Sequence, residues 1–152
     1  MYIKPIKPMS QSTIILPNQL FEKPNKILLN CTHIYLIEDP VFFTKFPYHK
    51  QKLVLHRASM RFYYEYLKKT YTNIKIIYQD YNMANYDIIF KTHDKINIYD
   101  PIDNSLKKMF IKFASTYKTK LEIFTNQLFM ESDELLQEYY DSLSSHTNYF
   151  HD

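Results

Sequence analysis

Not one of the 152 residues is glycine. An average chain carries about 7%, so every tight turn here is built under a constraint. Backbone positions with positive φ must be filled by Asn or Asp, whose short polar side chains tolerate the left-handed region. A glycine loop that cradles phosphate cannot form. That excludes a Walker motif and the GxGxxG dinucleotide fingerprint.

Within that limit the apolar pattern is regular. Short β-branched or aromatic runs at 13–16 (TIIL), 33–37 (HIYLI), 74–78 (IKIIY), 96–99 (INIY) and 121–124 (LEIF) read as strands. Helical patterns lie between and after them, at about 50–70, 83–92, 104–118 and 132–142. Strands alternating with helices predict an α/β fold: a Rossmann-like, five-stranded, mostly parallel sheet with helices on both faces. Residues 1–12 read as an N-terminal arm, 13–145 as one α/β domain and 146–152 as the start of a linker. In such sheets ligands bind beyond the carboxyl ends of the strands, where strand order reverses. That rule selects 17–20 (PNQL), 38–40 (EDP), 79–80 (QD), 100–103 (DPID) and 125–127 (TNQ), all polar.

Charge and cysteine content narrow the function. A net charge of +3 is mild, and no basic–aromatic interleaving marks a nucleic-acid platform. The single cysteine, Cys31, forbids an internal disulfide or a four-cysteine cluster within this chain and reads as a small core or edge residue. No apolar run approaches the roughly 20 residues of a membrane span. The N-terminal stretch lacks the apolar core of a secretory signal. The chain is expected to be intracellular and not membrane-bound.

The long helix carries the richest pattern. On a wheel of 100° per residue, Lys50, Arg57, Arg61 and Lys68 form one basic stripe. Leu55, Ala58, Phe62 and Tyr66 line one side of it; Leu53, Met60, Tyr64 and Leu67 line the other. A helix that only covers a sheet needs one apolar face, so two predict burial by the sheet and by something else: another part of the chain or a partner. The stripe is either a solvated face or a contact. Lys50, Arg57, Met60, Arg61 and Tyr64 are the candidate partner-binding residues.

Catalytic and metal motifs are sparse. His49 and His56 are seven apart, where helical metal ligands stand three or four apart, so no metal site is expected. His49 caps the helix or lines the pocket. His146 and His151 lie in a polar, aromatic tail. Ser59 lacks the strand–turn–helix elbow of a hydrolase nucleophile. Asp100 and Asp103 could hold a metal or act as an acid–base pair, or form a turn in which Asp103 or Asn104 caps the next helix.

Taken together, the first strand leading into Pro17-Asn18-Gln19-Leu20, YLIEDPVFF at 35–43, HKQKLVLHRASMRFY at 49–63, IYDPIDNSL at 98–106 and TNQLFMESDEL at 125–135 resemble the N-terminal domain of the deoxyribodipyrimidine photolyase-related proteins. These are cryptochrome and photolyase relatives that include the iron–sulfur bacterial type. The run at 49–63 is the specific part, and NYFHD at 148–152 resembles the start of the segment leading into the second domain. The resemblance implies a sheet that carries an antenna chromophore of lumazine, pterin or flavin type. It maps that pocket onto Asn18, Gln19, Glu38, Phe43, His49, Lys52 and Leu53. A ribityl chain wants carboxylate and amide partners, and a flat ring wants walls such as Leu53 and Phe43.

In the family, catalysis belongs to a helical domain that binds FAD, an iron–sulfur cluster and damaged DNA. With one Cys and no Trp for an electron relay, this chain is expected to bind neither FAD nor a cluster, and not to be an enzyme alone. A separate photolyase-like C-terminal chain would supply catalysis, and DNA would be met only indirectly. The alternatives are an interaction or scaffold module, or the remnant of a split photolyase gene without chromophore. For a small independent enzyme working through Asp100, Asp103 and His49, no spacing supports a particular reaction.

Overall fold

The first strand, β1 (Gln11–Ile15), is wholly buried although it opens QST, and neighbouring carbonyls take up two of its three polar side chains. Thr13 Oγ1 donates to the Ile27 carbonyl at 2.8 Å and Gln11 Nε2 to that of Leu29 at 2.8 Å. In this computed structural model, which describes residues 10–24, 26–128 and 133–144, β1 is the middle of a five-stranded sheet. Its partners are β2 (His33–Ile37), β3 (Lys75–Gln79), β4 (Lys95–Tyr99) and β5 (Lys120–Phe124), in the order β3-β2-β1-β4-β5. Every pairing is parallel. The expected sheet is therefore present, wholly rather than mostly parallel, and β1 starts two residues earlier than its apolar run. The rest of the expected arm, and the expected linker with His146 and His151, lie outside the described residues.

Side-chain alternation along the strands divides the core into two layers. On one face Ile14, Tyr35, Ile37, Ile96 and Ile98 pack against Tyr86, Ile89 and Phe90 of α3 (Tyr86–Thr92) and Leu106 and Phe110 of α4 (Asn104–Tyr117). On the other face Ile15, Ile34 and Leu36 pack against Met60, Tyr63 and Leu67 of α2 (Lys50–Thr70) and against Ile27 and Leu28 of the β1–β2 connection. Helices thus cover both faces, as a buried parallel sheet requires. A one-turn helix, α1 (Pro40–Phe43), follows β2, and α5 (Asp133–Ser144) follows β5. No helix among the described residues is long and apolar enough to cross a membrane.

The caps follow from side-chain chemistry. Asp39 accepts from Val41 N, Asn85 from Ile88 N, and Asp103 from the backbone of Ser105 and Leu106. His49 caps α2 by accepting from Gln51 N at 3.3 Å. The Asp100–Asp103 turn resolves as a cap as well: Asp100 pairs with Lys107 at 2.8 Å and Asp103 lies 3.6 Å from Lys45. Among the described residues two take positive φ, Asn30 at 60° and Lys118 at 56°. Asn30 is the expected residue type; Lys118, which ends α4 by donating its N–H to the Ala114 carbonyl, is not. A left-handed C-cap is needed there, and no glycine is available to fill it. Replacing Lys118→Gly should raise stability by about 0.5–1 kcal/mol, the left-handed penalty less the entropy of a glycine in the unfolded chain. Denaturant unfolding checks this, and a less stable variant would refute it.

Candidate functional site

At the carboxyl end of β1 the chain must turn without glycine, and it does so through Pro17 and Asn18. Gln19, only 1% exposed, ties the turn down. Its Oε1 accepts from Leu16 N at 3.2 Å, and its Nε2 donates to the Tyr99 carbonyl at the end of β4 at 3.3 Å. β1 and β4 are adjacent strands whose connections leave in opposite directions along the sheet, so Gln19 sits at the switch point where a ligand crevice is expected.

The crevice is there. It has a volume of about 940 Å³ and lies between the turn at 17–22, the outer side of α2 and Leu128. Its apolar walls include Leu20, Phe21, Leu55, Phe62, Tyr63 and Tyr66. Two phenols hold the turn against the helix: Tyr63 OH donates to the Phe21 carbonyl at 2.7 Å, and Tyr66 OH to that of Glu22 at 2.9 Å. Burial pushes the Tyr63 phenol far up, so it stays a donor. Asn18 lines the crevice with Oδ1 buried and without a hydrogen-bond partner among the described residues. His56 and Glu22 also line it. Burial, with Lys52 nearby, pushes the His56 imidazole down, which keeps it neutral at pH 7.

Of the seven expected pocket residues, Asn18 alone lines this crevice. Gln19 spends its amide on the backbone. Phe43 and Leu53 line a separate cleft of about 250 Å³ with Arg57 and Tyr81, where Phe43 stacks on Tyr81 with centroids 6.2 Å apart. His49 is an exposed cap, and Lys52 lies over the Tyr48 ring at 4.2 Å. Glu38 is fully buried and both its oxygens are engaged. Oε1 accepts from Arg57 Nε at 2.8 Å and Tyr78 OH at 2.5 Å, and Oε2 from Arg57 Nη2 at 2.6 Å. Burial alone would raise its pKa, but these hydrogen bonds outweigh burial and hold the carboxyl below the usual range. The same contacts push the Tyr78 phenol well up, burial first and then Glu38.

The candidate partner residues also need reassignment. Met60 is 0% exposed and belongs to the layer against the sheet, so it cannot meet a partner; Met60→Glu would bury a charge in the core rather than block docking. Tyr64 is half-buried and packs against the same layer. Both faces of the wheel exist, but the sheet takes the Met60 side and leaves Leu55 and Phe62 outward. The wheel has no pole, because either apolar face suits a sheet. The basic stripe leans onto its own chain: Arg57 onto Glu38, Arg61 over the Tyr78 ring at 3.8 Å, and Lys68 towards Glu65 at 3.6 Å. Lys50 is exposed. The strand-end segment 17–20 selected from the sequence reaches Leu20, but sequence reasoning missed Phe21 beside it; an apolar pair directly after a polar turn was the available signal.

Comparison with known proteins places this geometry in a family. The sequence model of the deoxyribodipyrimidine photo-lyase-related protein family matches residues 13–150. The chain belongs to that family. A protein of Acanthamoeba polyphaga mimivirus, described as uncharacterized protein R852, is 28% identical over 148 residues, which cover 86% of this chain and 71% of the relative. Among the described residues no three His, Cys, Asp or Glu side chains converge as metal ligands would.

The Glu38 network sets a pH dependence. A carboxyl with a depressed folded-state pKa contributes stability above its unfolded value, near pH 4.3. That stability is lost as pH falls through the lower folded value. Replacing Glu38→Gln should cost about 1–3 kcal/mol at pH 7, by leaving Arg57 without its carboxylate, and should flatten the acid limb of the stability curve. Urea titrations between pH 2.5 and 7 read both, and an unchanged acid limb would refute the assignment.

Proposed function

We propose that this photolyase-related domain binds a flat heteroaromatic chromophore of lumazine, pterin or flavin type in the crevice beside Gln19. In this reading it works as an antenna with a separate FAD-binding chain that carries catalysis, and catalyses nothing alone. The observation that carries the reading is the crevice itself: about 940 Å³ beyond the end of β1, walled by Phe21, Tyr63 and Tyr66, with Asn18 among its lining residues. Its size suits a small-molecule pocket of apolar walls and few polar groups. Aromatic walls suit a ring, and a lining amide such as Asn18 suits its hydroxyl or N–H groups. Glu38 supports the site from behind rather than touching the ligand, because its oxygens are taken.

The test is the absorption spectrum of the purified protein, followed by fluorescence titration with 6,7-dimethyl-8-ribityllumazine and with FMN. A bound chromophore is expected, with affinity at least about tenfold weaker in Asn18→Ala, equivalent to roughly 1.4 kcal/mol. A colourless protein that binds neither compound would remove the antenna role. A second reading, an interaction module without chromophore, is favoured by one observation: Val54, Leu55 and Phe62 are 68%, 67% and 77% exposed along one helix.

A further inference from the structure

The fold leaves two apolar surfaces uncovered on one chain. One is the outer side of α2, with Val54, Leu55 and Phe62 turned to solvent. The other is α5, where Leu135, Tyr139 and Tyr140 are 52%, 59% and 63% exposed. Leu135 and Tyr139, four residues apart, share one face of the helix, and Tyr140 stands about 100° round from Tyr139 and widens that surface. Exposed large side chains scattered singly are ordinary, but here they are grouped on both elements.

Their charges are opposite. The α2 segment carries Lys50, Lys52, Arg57, Arg61, Lys68 and Lys69 against Glu65 alone. The α5 segment carries Asp133, Glu134, Glu138 and Asp141, with no Lys or Arg. Among the described residues no ion pair engages Lys50, Lys52, Arg61 or Lys69, so the flank of the α2 surface keeps a positive field. An acidic helix with an apolar stripe is the complement of a basic, apolar groove.

The other uncovered part of the sheet is a poorer seat for such a stripe. On the α2 side, near the amino ends of β4 and β5, the surface presents the Lys95–Glu122 ion pair. Burying those groups under Leu and Tyr would strand their hydrogen-bonding capacity.

We propose that α5 of one copy seats on the outer side of α2 in a second copy, and the reverse, making a two-fold dimer. Each chain supplies one groove and one helix, so the contact closes on itself and stops at two. The phenols of Tyr139 and Tyr140 would cover Leu55 and Phe62, while the carboxylates flanking them would meet the Lys residues of α2. The inference does not rest on the chromophore reading, since it concerns the outer rim of the crevice and is measured without ligand.

Sedimentation velocity of the full chain across a hundredfold concentration range tests it. The wild type should dimerise, more weakly as salt rises. Phe62→Ser, which spoils the groove, and Tyr140→Ser, which spoils the helix, should each weaken dimerisation at least tenfold. Both side chains are exposed, so circular dichroism should show both variants folded. Mixing the two variants gives a heterodimer with one of its two contacts intact, where each variant's own dimer has none, so the heterodimer should form more tightly than either homodimer. A wild type that stays monomeric throughout, as it would if α5 capped its own α2, overturns the proposal. So does a dimer that ignores both substitutions, or a mixture that restores nothing.

Discussion

β1 is hydrogen-bonded to β2 on one side and β4 on the other, both parallel, and the rest of the molecule depends on that double pairing. Parallel neighbours need crossovers, so each connection must lie over one face of the sheet. From β1 the chain moves outward to β2 and β3, and then returns across β1 to β4 and β5. The return divides the cover. α2 and the β1–β2 connection take one face, and α3 and α4 take the other. It also parts the loops at the carboxyl ends of β1 and β4. Gln19 spans that parting with its amide, which holds the floor of the crevice whether or not anything lies in it.

The same geometry explains why α2 carries charge as well as apolar surface. Its sheet-facing side crosses β2 and β3, and the carboxyl end of β2 delivers Glu38 underneath it. A fully buried carboxylate is costly unless paired. Arg57 and Tyr78 together satisfy both oxygens, with Tyr78 coming from β3. Arg61, one turn on, lies over the same Tyr78 ring. The basic stripe is therefore explained first by one buried acid and one tyrosine. A partner can meet what remains, the unpaired cations such as Lys50 and the outward apolar residues.

Much of this was legible in the sequence. Five apolar runs gave five strands, each within about two residues of its end, and the wheel separated the two apolar sides of α2. The cap at Asp103 and the polar strand ends were also readable, because capping is local. Three things were not. The side of α2 that faces the sheet depends on how the helix rolls onto β2 and β3, which sequence periodicity leaves undetermined. The grouping of Glu38 with Phe43 and Leu53 in one pocket failed because Arg57 reaches between them, and a long flexible side chain leaves no periodic trace. Lys118 in the left-handed region was unreadable because its residue type opposes the conformation; the demand comes from where α4 must stop and β5 begin.

The missing glycines shape the site as well as the turns. Phosphate sites in related sheet architectures are built from backbone N–H groups brought close by glycine, and Pro17 at the end of β1 has no N–H to offer. What this chain can present at its switch point is side chains: aromatic rings from the turn and from α2, and the amide of Asn18. A crevice built that way, with Asn18, Glu22, His56 and Ser59 among mostly apolar walls, selects for shape and apolar area rather than for negative charge. Such a site favours a ring system over a nucleotide tail. That preference follows from the composition of the loop before any family likeness is considered.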